Sequence, residues 1–214
     1  ARNLSKDWNG TAASDSRSYV MVQAFREVVE DALLSPLVAP VAEAMDVYQS
    51  KFPAREEAVE AILRTRPLHL LPLPHASWEA FLSDCAEKTI QVLIQKGGPN
   101  ALAKRWGKKN SPRVAHPIAN QLPPLFDGLV RLPDPPQSGS MDAVKVIRPG
   151  FGASLRMVIS PSNHAAAIYH MPGGQSGDPR SDQYRKGHNA WIKGKPTSMQ
   201  SGPALRTIRL KPAG

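Results

Sequence analysis

An α+β fold, helical in its first half and strand-containing in its second, is predicted by three features of the chain. Apolar residues recur at three- and four-residue steps from Tyr19 to Leu93. Short apolar runs rich in β-branched residues are confined to the part after residue 140. Charge divides along nearly the same line: residues 1–95 hold 9 basic and 13 acidic side chains (−4), whereas residues 96–214 hold 18 and 5 (+13).

Taken in order, Tyr19, Val22, Phe25, Val29, Ala32 and Leu33 form one stripe behind the capping candidates Asp15 and Ser16, and Pro36 is the expected stop. A second helix is expected from Leu37 to Gln49, with Pro40 tolerated in its first turn, where no intrahelical donor is lost. Pro53 opens a third, with Glu56 and Glu57 at the positive end of its dipole and Ala58 and Ile62 on a short apolar face; Pro67 closes it. Arg66–His75 is too proline-rich for a helix and too apolar for a wet loop, so an extended segment lying on a hydrophobic surface is expected. Ser77 then caps the clearest helix, striped by Trp78, Phe81, Leu82, Cys85, Thr89, Val92 and Leu93 and ended by Gly97-Gly98. Pro99–Arg105 reads as one more short helical turn.

Residues 107–140 contain seven prolines and little periodicity, the mark of an arm held by its surroundings. Strands are expected at Ala143–Ile147, Leu155–Ser160 and Ala166–His170, the last two joined by a turn at Pro161-Ser162-Asn163-His164, with a final strand at Leu205–Leu210. Gly173–Pro179 is a compact loop, and Gln183–Lys193 a short helix around Tyr184 and Trp191. The regions are therefore 1–105, mainly helical; 106–142, an extended proline-rich arm; and 143–214, strand-rich with the Gly-Gly-Gln-Ser-Gly loop. No repeat and no obvious linker divides them.

Composition removes several classes. One Cys cannot build a disulfide framework. Prolines 36, 40, 72 and 74 cut the longest apolar runs well below the roughly 20 residues of a membrane-spanning helix. The 41% hydrophobic content is ample for a packed core.

Candidate chemistry is thin when read from spacing alone. Lys104, Arg105, Lys108, Lys109 and Arg113 cluster around Trp106, but no zinc-finger, RNA-binding or recognition-helix signature accompanies them, so a solvated face or one opposite an acidic segment is favoured over phosphate binding. His69 and His75, and His164 and His170, are each six apart, not the i, i+4 pair that grips zinc on a helix. Cys85 sits on an apolar stripe and reads as a buried thiol rather than a nucleophile. In Gly174-Gln175-Ser176-Gly177 the serine is followed directly by glycine, so the Gly-x-Ser-x-Gly elbow fails, and the Lys-Ser or Lys-Thr of a phosphate loop is missing.

Four stretches nonetheless fall into one pattern. Trp8-Asn9-Gly10-Thr11-Ala12-Ala13-Ser14-Asp15-Ser16, continuing to Val22 and Phe25-Arg26, resembles the W-D/N-G-x-A-x-x-D-S…V-x-x-F-R segment of the penicillin acylase β chain. Trp106-Gly107-Lys108 with Arg113-Val114-Ala115-His116-Pro117 resembles that family's W-G-K…V-x-x-H-P-L. Gly152–Val158 resembles its G-A-S-x-R-M-V strand. Pro172–Pro179, with Ser181, Tyr184, Trp191, Lys193 and Gly194, resembles P-x-G-Q-S-G-N-P-x-S…Y…W-x-K-G. Lys186 and Gly187 depart from the family where acidic or amide residues are usual, as does Pro135–Ser140 where it has Pro-Gly-Asp.

The resemblance implies an N-terminal-nucleophile hydrolase with an αββα core, self-cleaved to expose a serine whose own α-amino group assists attack on an amide. It places these residues in the C-terminal part of the β chain, downstream of the nucleophile, the oxyanion asparagine and the calcium ligands, so no catalytic residue and no cofactor is assigned here. The chain opens at Ala1 where the mechanism needs Ser, Thr or Cys, and alone it is expected to be inactive. Its expected partners are the remaining α and β segments of the same precursor and, in the parent enzyme, a small acyl amide such as a penicillin or an acyl-homoserine lactone. Neither nucleic acid nor membrane insertion is expected, and the family's usual export points to the periplasm. Arg156 is expected to brace the core by a buried charge-assisted bond, with Gln175 and Ser176 fixing the loop beside it. The alternatives from other classes are a binding or scaffold module that kept this architecture without chemistry, and an incidental nucleic-acid binder.

Overall fold

In the computed structural model, which describes residues 6–42, 55–199 and 206–211, the chain is mixed α and β and forms two compact units, residues 1–108 and 109–214. In the first, helix α1 (Ser18–Ala42) packs on α2 (Arg55–Thr65) and α3 (Trp78–Gly97). Val28, Val29 and Leu33 of α1, Val59 of α2, and Trp78, Phe81 and Cys85 of α3 make the core, with Phe25, Ile62 and Leu82 against it.

The caps follow the chemistry of the sequence. The Ser16 hydroxyl accepts from the Tyr19 N–H at the start of α1, and the Ser77 hydroxyl from that of Ala80 at the start of α3. Gly98, at φ 75°, ends α3 by donating its N–H to the Ile94 carbonyl. Thr89, wholly buried in α3, returns its hydroxyl to the Cys85 carbonyl.

Two helical expectations are corrected. Pro36 does not stop the first helix, and Leu37 does not open another: α1 runs through Pro36 and Pro40 to Ala42. Proline already has a helical φ; its penalty is a missing donor and a clash with the carbonyl four residues back. With the two prolines four apart, both penalties fall on one side of the helix, so the backbone can bend there and continue. The rest of the expected second helix, residues 43–49, lies outside the described residues, as does Pro53. On α2 the buried residue is Val59, beside the expected pair Ala58 and Ile62.

Arg66–His75 is likewise not laid flat on a hydrophobic surface. It contains a 3-10 turn (Leu68–Leu70), and Leu68 and Leu73 are 78% and 91% exposed. Leu71 packs against the first-unit core, and His75 is held by the Pro72 carbonyl and Asp84.

The four-residue helix α4 (Trp106–Lys109) leads into the second unit. Residues 110–140 are not extended throughout. They fold as 3-10 turns (Pro117–Gln121, Pro124–Phe126) and helix α5 (Asp127–Val130), closed by a bridge between Ala115 and Arg131. Prolines at the start of both 3-10 turns occupy positions whose N–H would go unused. Strand β1 is only Ile147–Arg148, antiparallel to β2 (Phe151–Gly152), shorter than the expected Ala143–Ile147 because residues 141–145 form turns and bends and Val146 makes only an isolated bridge to Ser140.

Strand β3 (Arg156–Ser160) pairs antiparallel with β4 (Asn163–His170) in the register Arg156 to His170, Met157 to Tyr169 and Val158 to Ile168, with an irregularity before Ser160. The expected short helix around Tyr184 and Trp191 is two, α6 (Asp182–Arg185) and α7 (His188–Lys193), separated at Gly187, whose φ of 84° breaks the helix. The final strand is absent over residues 206–210: the segment is irregular, with Ile208 and Leu210 85% and 91% exposed, and Leu205 lies outside the described residues.

Candidate functional site

The four sequence stretches of the resemblance come together in pairs. In the first unit the Trp106 N–H donates to the Ser16 carbonyl and the Gly107 N–H to that of Ser14. Tyr19 stands edge-on to Trp106 with ring centres 4.8 Å apart, and tilts against Trp8 at 5.8 Å. The Trp-Gly-Lys and Trp-Asn-Gly segments therefore meet through backbone bonds and one aromatic stack, which is why both need their tryptophans.

In the second unit the centre is Trp191, fully buried in α7. Its indole N–H donates to the Ala153 carbonyl at 3.0 Å. A Cβ on Gly152 would meet the indole at 2.7 Å, so glycine there is a condition of the packing. Arg156 reaches across from β3: its guanidinium carbon is 4.8 Å from the indole centre, and its Nη1 donates to the Trp191 carbonyl at 3.0 Å. Lys145 donates from Nζ to the next carbonyl, Ile192, at 2.8 Å and to Gln137 Oε1 at 2.9 Å. Two cations thus bond the last-turn carbonyls of α7, the end where positive charge is favoured. Burial lowers both from their usual range, and the Arg156 charge lowers Lys145 further.

Below them Asn110, wholly buried, donates to the Gly139 carbonyl at 2.9 Å. Gly139 has φ 101° and lies so close to the Lys145 carbonyl that no side chain fits. The polar layer under α7 therefore depends on an asparagine, a glycine and a lysine from three separate stretches, none of which a motif announces.

The Gly-Gly-Gln-Ser-Gly loop is fixed mainly through its backbone. The Gly174 N–H donates to the Tyr184 carbonyl at 3.0 Å, and the Tyr184 hydroxyl to the Val130 carbonyl at 2.7 Å. His116 Nε2 bonds the Gly177 carbonyl at 3.1 Å, which joins the His-Pro segment to this loop. Ser176 accepts from the Asp178 N–H at 3.1 Å, a local turn bond, and Asp178 is clamped by both arms of Arg180. That guanidinium holds the Asp178 carboxyl down at about 2. Gln175 is exposed and points its amide at the Met171 sulfur. Among the described residues no hydrogen bond links Arg156 to Gln175 or Ser176: the three expected support residues fall into two separate networks.

A family model for penicillin amidase matches residues 1–206. The chain belongs to the penicillin amidase family. No curated protein matches it. Membership makes it part of a family of amide hydrolases. Among the described residues no helix is long and apolar enough to cross a membrane, and no group of three or more His, Cys, Asp or Glu stands ready for a metal ion. Lys104 of the basic cluster is committed to capping α3 through the Gly97 carbonyl at 2.6 Å, while Arg105, Lys108, Lys109 and Arg113 are exposed. Lys145 is invisible to spacing arguments because its partners, the Gln137 amide oxygen and the Ile192 carbonyl, lie 8 and 47 positions away and belong to no motif.

Proposed function

We propose that these residues are the supporting, C-terminal part of an N-terminal-nucleophile amide hydrolase, completing the fold around a Ser, Thr or Cys nucleophile carried elsewhere in the same precursor. The observation that carries this reading is the β3–β4 hairpin. Leu155, Met157, Val158 and Ile159 are 46–64% exposed, and the far edge of β3 has no partner strand among the described residues. Two strands with an apolar surface are marginal in water and gain stability when a sheet continues across them. Further sheet from the same enzyme would both extend β3 and cover those side chains.

In this reading Arg156 and Lys145 hold the end of α7, and the Gly174 loop fixes α6, so the chain contributes rigidity rather than a reacting atom. The nucleophile attacks a linear acyl amide, releasing the amine and leaving an acyl-enzyme that water hydrolyses. Penicillin side chains and acyl-homoserine lactones fit that class, autoprocessing would expose the nucleophile, and a periplasmic enzyme accords with the family. The basic second unit then faces more acidic surface of its own protein rather than nucleic acid.

The test compares this chain alone with the full-length product of its reading frame on a chromogenic phenylacetyl amide and a long-chain acyl amide. Hydrolysis by the full-length protein only is expected. Turnover by residues 1–214 alone overturns the proposal.

A further inference from the structure

His188 is 2% exposed and begins α7, with its ring stacked on Trp191 at 5.9 Å and 19°. Its two nitrogens meet two carbonyl oxygens: Nδ1 lies 2.5 Å from that of Pro172, and Nε2 2.6 Å from that of Pro133. A carbonyl can only accept. A neutral imidazole has one N–H and one lone pair, so it would donate to one carbonyl and press its lone pair against the other. Only the imidazolium, with two N–H groups, satisfies both.

His116 in the same unit shows the neutral alternative. There Nδ1 accepts from the Ile118 N–H at 3.3 Å while Nε2 donates to the Gly177 carbonyl, which is one lone pair and one proton.

We infer that His188 is a structural imidazolium, a clasp that uses both ring protons to tie the Pro133 stretch to the Pro172 stretch leading into the Gly174 loop. Its charge is met by carbonyl dipoles and the indole face instead of a carboxylate. The ionisable groups on the surrounding elements have other bonds: Asp134, beside Pro133, accepts from Ser111; Lys145 bonds the Ile192 carbonyl and Gln137; Arg156 bonds the Trp191 carbonyl; Tyr184 bonds Val130; Arg185 bonds the carbonyls of Gly128, Leu129 and Arg131. Lys193 is exposed.

The inference does not rest on the hydrolase reading, because it concerns only bonds within residues 109–214.

The experiment is a long-range proton–nitrogen correlation on the full chain labelled with 15N-histidine at pH 7, with His188 assigned through its contacts to Trp191. Two protonated ring nitrogens are expected for His188, and one unprotonated nitrogen for His116. A single unprotonated nitrogen on His188 overturns the inference.

Discussion

Arg156 holds Trp191 twice: its guanidinium lies over the indole 4.8 Å from the ring centre, and its Nη1 bonds the carbonyl of the same residue at 3.0 Å. One side chain thereby fixes both the ring and the backbone of a residue 35 positions away. In the amide hydrolase proposed above, Arg156→Met should lower stability by about 1–3 kcal/mol, the size of a lost charge-assisted bond, while any preference between phenylacetyl and long-chain acyl amides stays constant. Paired calorimetry and rate measurements decide it; a changed preference at unchanged Tm sinks the bracing role.

Gly174 and Gly177 occupy the same loop but differ in what surrounds them. A Cβ at Gly174 would lie 1.5 Å from the Gln183 carbonyl, whereas one at Gly177 meets nothing within 4 Å. Gly174→Ala should therefore destabilise by about 2 kcal/mol or more, through forced backbone movement, and Gly177→Ala should stay within about 0.5 kcal/mol of the parent. Denaturant midpoints for the two variants are the measurement, and equal losses would contradict the packing.

Ser77→Ala removes the hydroxyl that accepts the Ala80 N–H at the start of α3. A loss of about 1 kcal/mol is expected, with Ser77→Asp close to the parent. Urea titrations of the three proteins should show that ranking.

Burial, reinforced by Asp84 and opposed by Lys88, pushes the Cys85 thiol up from 9.0 to about 11. The folded thiol keeps its proton where the unfolded one has lost it. Its contribution to stability is thus present below about pH 9 and lost as pH rises towards 11. Native protein should resist alkylation at pH 8 and react only at the rate of unfolding. Rapid native labelling, followed by mass spectrometry, would count against a closed core at this position.

Elements whose cause is local were legible in the sequence. Ser77 and Gly98 bound α3 because a hydroxyl and a glycine act within four residues of themselves. Pro36 is no stop because a proline's penalty is local, a missing donor and a clash one turn back, and the helix continues past it to Ala42. Over residues 106–142 the sequence shows only an extended proline-rich arm held by its surroundings, because the order there comes from carbonyls dispersed along the chain, such as those of Gly139 and Val130, which no side-chain pattern encodes. The partner of Arg156 is not legible in the sequence: the bond goes to a backbone oxygen 35 positions away, and Gln175 and Ser176 belong to a different network.

The burial of Trp191 has an optical consequence. The chain has four tryptophans: Trp8, Trp78 and Trp106 lie in residues 1–108, and Trp191 is alone in residues 109–214. A variant carrying phenylalanine at the other three would emit from a single indole shielded from water and bordered by a guanidinium. Its wavelength and quenching would then report the second unit by itself, in real time and without an added dye.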